Sequence, residues 1–264
     1  MGEPLNSSWH LFANAHDAAT AVAERLSVLV AAATEERRTF SLALSGGTTP
    51  QSLFSLLVRE YDVRIPWSEV EFGFVDERAV GPDDPRSNFG QANRELFRPL
   101  KVPSDHIHRI EGEARSVDVA RDRYEEEIRT LLGSTSVGPL PSRSFDVVLL
   151  GVGTDGHTGS LFPGAASLAE TSRWVAVETH PSMEPKVPRI TLTLPAIAAA
   201  GHALFLVLGK AKRPVLQRIL RDPNLGSPQG ELPAARVRTL EETEWFLDTE
   251  ALPEGRNGPR PEKG

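Results

Sequence analysis

The residues best placed for chemistry lie in a short glycine-rich stretch, residues 151–164. It follows an apolar run at residues 145–150, whose branched side chains predict a strand buried on both faces of a parallel sheet. Asp155 and His157 stand among the glycines. Histidine titrates near neutral pH, so it can accept and return a proton during catalysis. Since open α/β sheets bind ligands beyond the carboxyl ends of their strands, His157 is the first candidate for a reacting group.

The same glycines also fit a different class of protein. Gly151, Gly153 and Gly156 match the GxGxxG spacing of dinucleotide-binding loops. Glu178 follows about twenty residues later, where such folds place an acid for the ribose. That loop needs a helix directly after its glycines, whereas a Pro-Gly pair at 163–164 interrupts the chain. The sequence therefore favours a polar loop that carries an imidazole, with a nucleotide-binding oxidoreductase as the alternative.

A second candidate site is the sequence SGGTTP at residues 45–50, between a predicted strand at 39–44 and a predicted helix at 51–57. The free amides and the dipole at a helix N-terminus bind phosphate, and nearby hydroxyls add donors. The stretch differs from the GxxxxGK[ST] loop and no lysine follows it, which argues against an ATPase. The predicted phosphate ligands are Ser45, Gly46, Gly47, Thr48 and Thr49.

Charged residues follow the strand predicted at 70–75. Such a charged run is usually a solvated loop, but directly after a buried strand Asp76 and Arg78 are also candidates for a site segment at the same sheet edge. Ser87 or Asn88 caps the next predicted helix, or Asn88 contacts a ligand.

Two cations further along the chain are candidates for binding an anion. Arg189 heads a strand predicted at 188–194. Lys212 stands where a helix is predicted to follow the apolar strand at 203–208. A helix dipole repels cations from its N-terminus, so a lysine there indicates either a negatively charged ligand or a side chain that is simply solvated.

No metal site or cofactor is predicted. His106 and His108 share a face of a short strand predicted at 105–110, but no third ligand is near them in the sequence. The chain has no cysteine, which excludes disulfides and thiolate ligands.

The order of elements predicts an α/β protein. Strands and helices alternate from a helix capped by Asp17 to a last strand near residue 247. We expect one domain over residues 1–250 and a disordered tail over 251–264, which is rich in Pro, Gly and charge. The net charge of −7 argues against binding to nucleic acid. No leader or membrane segment is apparent, so the expected location is the cytoplasm; the sequence does not decide between monomer and dimer.

These stretches, in this order, resemble those of the 6-phosphogluconolactonase family. They are SGGTTP at 45–50, DER at 76–78 with SN at 87–88, GVGTDGHT at 151–158 with SLFPG at 160–164, PRIT at 188–191, and Gly209 with Lys212. The resemblance implies a three-layer α/β/α sandwich with a mainly parallel, Rossmann-like sheet, similar to glucosamine-6-phosphate deaminase and ribose-5-phosphate isomerase. The deaminase pattern carries a glutamate just after its histidine run, and the sequence TGSLFP here has no acid.

The implied reaction is the hydrolysis of 6-phospho-D-glucono-1,5-lactone in the pentose phosphate pathway. We expect His157 to act as general base toward water and then as acid toward the ring oxygen. Asp155 or Asp76 would orient the imidazole, and backbone amides of residues 151–156 would meet the oxyanion. The loop at 45–49 would hold the phosphate, with charge from Lys212, Arg189 and Arg78. A noncatalytic sugar-phosphate sensor on the same fold stays open.

Overall fold

A computed structural model describes residues 7–36, 38–133, 142–222, 224–227 and 230–253, and its framework is a set of nine strands. The strands, in chain order, are β1 (Ser7–Phe12), β2 (Phe40–Leu44), β3 (Val70–Phe74), β4 (Asp76–Arg78), β5 (Val147–Leu150), β6 (Val175–Glu178), β7 (Arg189–Leu192), β8 (His202–Val207) and β9 (Glu242–Asp248).

Six of these strands form one parallel sheet in the order β1-β9-β8-β5-β2-β3. Every residue of β2, β5 and β8 is buried, which matches the continuous apolar runs of the sequence. The other three strands form an antiparallel sheet in the order β4-β7-β6. This second sheet begins where β3 ends, so it stands beside the carboxyl edge of the parallel sheet.

Helices flank the parallel sheet. They are α1 (Ala15–Glu35), α2 (Thr48–Glu60), α3 (Asn88–Ala92), α4 (Arg98–Leu100), α5 (Val117–Leu131), α6 (Leu194–Ala198) and α7 (Arg213–Ile219). A π-helical turn, Asn93–Phe97, joins α3 to α4, and short 3-10 turns occur at Trp67–Glu69, Ser104–His106, Ala166–Ala169, Lys210–Lys212 and Pro233–Arg236. Helix α1 packs its apolar stripe against α2 and β9, while α5 packs against β6 and β7. The predicted α/β/α fold with a mainly parallel sheet is confirmed.

Three sequence-based expectations about local structure are wrong. Residues 105–110 are not a strand: a 3-10 turn precedes a single bridge between Ile107 and Phe72, because this segment only covers the outer edge of β3. The cap of α1 is Asn14, whose Oδ1 accepts from the amide of Asp17 at 3.0 Å, so Asp17 lies in the first turn. The DER sequence is not a loop but strand β4, which pairs with β7.

The ends of the chain add one element and one boundary. Strand β1, which the sequence analysis did not predict, pairs in parallel with β9 at the sheet edge, and Trp9 stacks on Trp245 at 4.5 Å. Ala251, inside the predicted tail, is fully buried, and residues 254–264 lie outside the described residues. No helix in the described part of the chain has the length and apolar character needed to cross a membrane.

Candidate active site

A cavity of about 280 Å³ lies at the carboxyl edge of the parallel sheet. Strands β8, β5, β2 and β3 are consecutive neighbours in the sheet, so the loops that follow them meet at this edge. The cavity is lined by eight of the predicted site residues: Ser45, Gly46, Gly47, Asp76, Arg78, His157, Arg189 and Lys212. The fold therefore brings together residues that lie far apart in the sequence.

The imidazole of His157 is paired with a carboxylate. Its Nδ1 lies 2.6 Å from Asp155 Oδ1, and the same oxygen accepts the backbone amide of His157 at 3.1 Å. Burial raises the pKa of the Asp155 carboxyl, but the hydrogen bond and charge of His157 outweigh it and leave that pKa below its ordinary value. The Ser182 hydroxyl donates to the other oxygen, Oδ2, at 3.3 Å. Since Asp155 engages Nδ1, the Nε2 atom of His157 is left for chemistry.

The loop that carries this pair is fixed by internal hydrogen bonds. The amide of Gly153 donates to the His157 carbonyl at 2.9 Å, and the amide of Gly156 donates to the Gly153 carbonyl at 3.0 Å. These two amides are therefore engaged within the loop and are not free to meet an oxyanion. The ring of Phe162 lies 4.6 Å from the imidazole, centre to centre, and closes one side of the site.

Asp76 is a second carboxylate on the cavity wall, and it is held by other partners. Its Oδ2 accepts from the Ser160 hydroxyl at 2.5 Å and its Oδ1 accepts from Asn88 Nδ2 at 3.2 Å. Only 4% of Asp76 is exposed. Of the two carboxylates that the sequence offered as partners for the imidazole, Asp155 is the one in contact with it.

Asn88 lies behind the cavity rather than on its wall. Its Nδ2 also donates to the backbone carbonyl of Asp76 at 2.8 Å. The Asn88 side chain fills the space next to Gly46, where an added Cβ would lie 1.8 Å from Asn88 Oδ1. The cap of α3 is Ser87, whose Oγ accepts from the Gly90 amide at 2.9 Å. Asn88 therefore supports Asp76 and Gly46 and neither caps the helix nor lines the cavity.

Residues 45–50, the predicted phosphate-binding segment and here called the phosphate loop, run from β2 into α2. The Ser45 hydroxyl donates to the Leu149 carbonyl at 2.7 Å, which ties the loop to β5. Helix α2 begins at Thr48, so the first-turn amides of Thr48 and Thr49 have no partner within the helix. The side chains of these two threonines lie outside the description.

The three predicted cations on the cavity wall are held by backbone carbonyls. Arg189 is 3% exposed and donates through Nη2 to Pro185 O at 2.9 Å; burial lowers its guanidinium pKa, and the charge of Asp76 partly opposes this. Lys212 Nζ donates to Val152 O at 2.6 Å, and burial lowers its pKa too, against the charge of Asp155. Arg78 Nη1 donates to the backbone carbonyl of Arg86 at 2.5 Å.

Sequence reasoning missed two members of the wall, Met183 and Glu184. Both belong to the connection between β6 and β7, which carries no motif. The connection is attached to the site through Ser182, which contacts Asp155, and through the bonds of Arg189 to its carbonyls. The antiparallel pairing of β6 with β7 places this connection beside the cavity.

The dinucleotide alternative does not fit the geometry. Residues 151–165 form turns without a helix, so no helix N-terminus follows the glycines. The Glu178 carboxylate is already engaged by the Ser167 hydroxyl at 2.9 Å and the His180 amide at 2.8 Å.

One group with metal-ligand spacing occurs among the described residues, at the opposite edge of the sheet. It consists of His202, Glu242 and Glu244. Arg25 pairs with Glu242 and Glu244, at 3.3 Å and 2.7 Å, so part of their negative charge is already compensated.

Residues 13–245 match the family model described as glucosamine-6-phosphate isomerases/6-phosphogluconolactonase. A 6-phosphogluconolactonase of Haemophilus influenzae is 35% identical over 213 residues, which cover 80% of this chain and 85% of the relative. A 6-phosphogluconolactonase of Thermotoga maritima is 33% identical over 226 residues, 86% of this chain and 92% of the relative.

Solved structures give the same picture. The crystal structure of 6-phosphogluconolactonase from Thermotoga maritima superposes with a TM-score of 0.76 at 32% identity and covers 92% of this chain and 99% of that one. A monomeric glucosamine-6-phosphate deaminase superposes with a TM-score of 0.75 at 19% identity and covers 92% of this chain and 98% of that one. At that identity the second likeness shows the fold alone.

Proposed function

This chain belongs to the family of glucosamine-6-phosphate isomerases and 6-phosphogluconolactonases. We propose that His157 assists the attack of a water molecule that opens the ring of the lactone substrate. The protein is a hydrolase that acts on a lactone ester of sugar-phosphate metabolism. The reaction converts 6-phospho-D-glucono-1,5-lactone to 6-phospho-D-gluconate in the pentose phosphate pathway.

The observation that carries the mechanism is the His157–Asp155 pair on the cavity wall. With a proton on Nδ1 shared with Asp155, Nε2 has a free lone pair and takes a proton from water as its oxygen attacks the lactone carbonyl. The bond from the carbonyl carbon to the ring oxygen then breaks, and His157 returns the proton to that oxygen. The product acid ionises afterwards.

The rest of the cavity supports binding of the sugar phosphate. The phosphate loop supplies backbone amides, and Arg78, Arg189 and Lys212 supply positive charge. The Asp76 carboxylate on the cavity wall accepts hydrogen bonds and repels anions, so it would bind hydroxyl groups of the sugar rather than the phosphate. Asn88 contributes to this site indirectly, through the hydrogen bond that it donates to Asp76. Remote binding of this kind holds the carbonyl over His157.

The proposal extends to the organisation of the chain. The family match over residues 13–245 supports a single domain within residues 1–250. A role in sugar-phosphate metabolism supports the cytoplasm as the place of action.

The test is hydrolysis of freshly made 6-phosphogluconolactone, corrected for spontaneous opening, by the wild type and by His157→Ala. We expect kcat to fall by about 100-fold or more, the scale for loss of a general base. His180→Ala is the matched control, because this exposed histidine bonds to Thr179 and does not line the cavity, so its rate should be unchanged. A folded wild type that binds 6-phosphogluconate without accelerating hydrolysis would show a sensor instead.

A further inference from the structure

Gln91 reaches from α3 to the backbone of the phosphate loop. Its Oε1 accepts from the Gly47 amide at 3.3 Å, and its Nε2 donates to the Gly47 carbonyl at 3.0 Å. The side-chain amide therefore hydrogen-bonds to both the N–H and the C=O of Gly47, as a residue of a neighbouring β-strand does in a sheet.

The orientation of the Gln91 amide follows from the chemistry of its neighbours. Its Nε2 also donates to Glu95 Oε2 at 3.2 Å. The Gly47 N–H can only donate, whereas the Gly47 carbonyl and the Glu95 carboxylate can only accept. One assignment of oxygen and nitrogen satisfies all three contacts, and it is the one observed.

Gly47 needs such a partner because its conformation is otherwise free. It precedes α2 with φ 110° and ψ −171°, in the region that favours glycine, and no side chain caps the helix. The peptide unit between Gly47 and Thr48 is planar and trans, so its N–H points opposite to its carbonyl. Holding the Gly47 carbonyl on the α3 side therefore directs the Thr48 amide away from α3.

We propose that Gln91 is a positioning residue that sets the phosphate loop for its ligand by fixing the Gly47 backbone. This inference rests on the proposed function, since it deepens the role of the phosphate loop. Gln91 does not line the cavity, so it acts on the phosphate only through Gly47 and the amides that follow. Loss of Gln91 weakens binding of the phosphate group and leaves the His157–Asp155 pair intact.

The experiment compares the wild type with Gln91→Met, which keeps the length of the side chain and removes all of its hydrogen bonds. KM for 6-phosphogluconolactone and the inhibition constant of inorganic phosphate should both rise about tenfold, the scale for losing two neutral hydrogen bonds. The kcat value should stay within about twofold, since the chemistry is untouched. Gln91→Asn, whose amide is one methylene shorter, should shift both constants in the same direction.

Gln51→Met is the matched control. Gln51 lies on α2 and donates to the same Glu95, to Oε1 at 3.1 Å, without contacting Gly47. The Gln51→Met variant should have the same KM for 6-phosphogluconolactone and the same inhibition constant for phosphate as the wild type.

Unchanged constants in both Gln91 variants, or a fall in kcat as large as the rise in KM, would overturn the positioning role. An inactive wild type would instead overturn the proposed function, so the two failures are distinguishable.

Discussion

Gly153 leaves no room for a side chain next to His157 and Asp155, the pair that we propose is catalytic. A Cβ at this position would lie 2.1 Å from His157 Nδ1 and 2.6 Å from Asp155 Oδ1. Gly153→Ala should therefore separate the two groups and lower kcat by about 10- to 100-fold, because a general base acts only in the right geometry. The measurement is the steady-state rate with 6-phosphogluconolactone.

Gly81→Ala is the control for this substitution, because a Cβ there meets nothing within 4 Å and Gly81 lies outside the cavity. Its rate should match the wild type. A Gly153→Ala variant with wild-type kcat would mean that contact between His157 and Asp155 is not needed for turnover.

At the residue scale, the sequence predicted the side chains that carry a motif and missed those that act through distant contacts. His157 and Asp155 lie two residues apart in a glycine-rich loop, so their pairing could be anticipated. Asn88 was a candidate ligand contact, but its hydrogen bond to Asp76 was not predicted, and neither was the bond of Gln91 to Gly47, 44 residues away. No periodicity or spacing reports such contacts, because they depend on how β3 and α3 are placed.

At the scale of elements, the segment that covers β3 is attached by an ion pair that depends on pH. His108 Nδ1 lies 2.9 Å from Glu127 on α5, and its Nε2 lies 2.8 Å from Glu71 on β3; His106 is 3.8 Å from the same Glu71. The bond to Glu127 raises the pKa of His108, partial burial opposes it, and Glu71 adds to the rise. The folded protein therefore holds this proton more tightly than the unfolded chain does.

This linkage predicts how His108→Gln changes stability with pH. The stabilisation by His108 is complete below the unfolded pKa of about 6.5 and is lost as the pH rises through the higher folded pKa. We expect the variant to lose up to about 1 kcal/mol in free energy of unfolding at pH 5.5, a modest value since Glu127 is partly exposed. The loss should shrink by pH 9, as measured by urea titration.

Glu127→Gln gives a second test, because it removes the same ion pair from the other side and its loss should likewise shrink between pH 5.5 and pH 9. A loss for His108→Gln that grew with pH would contradict the sign of the linkage.

The elements differ in how well the sequence predicted them, and burial explains the difference. Strands β2, β5 and β8 are wholly buried, so each leaves a continuous apolar run. Strand β4 has three residues and is defined by its pairing with β7 rather than by a pattern. Residues 105–110 alternate like a strand but make one bridge, because they cover an edge instead of extending the sheet.

At the scale of the whole molecule, the candidate active site gathers the ends of four neighbouring strands, so a ligand in the cavity binds the folded state alone. Such a ligand at 100 times its Kd stabilises the fold by about 2.7 kcal/mol. For a domain of this size we expect 6-phosphogluconate to raise the melting temperature by roughly 5 °C or more. NADP should cause no measurable rise in melting temperature, since residues 151–165 form no helix that could bind a dinucleotide.

The contribution of one positive charge in the cavity to this rise in melting temperature can be measured at Lys212. Lys212→Met keeps the length of the side chain but removes its ammonium group, so it should raise the Kd for 6-phosphogluconate about 10-fold or more, the scale of a charged hydrogen bond. The rise in melting temperature at a fixed ligand concentration should shrink accordingly, with each variant referred to its own ligand-free value. Lys210→Met, on an exposed side chain 3.9 Å from Glu250, should keep the full rise. Equal rises in both variants would place Lys212 outside the binding of the product, and a rise with NADP alone would overturn the sugar-phosphate site.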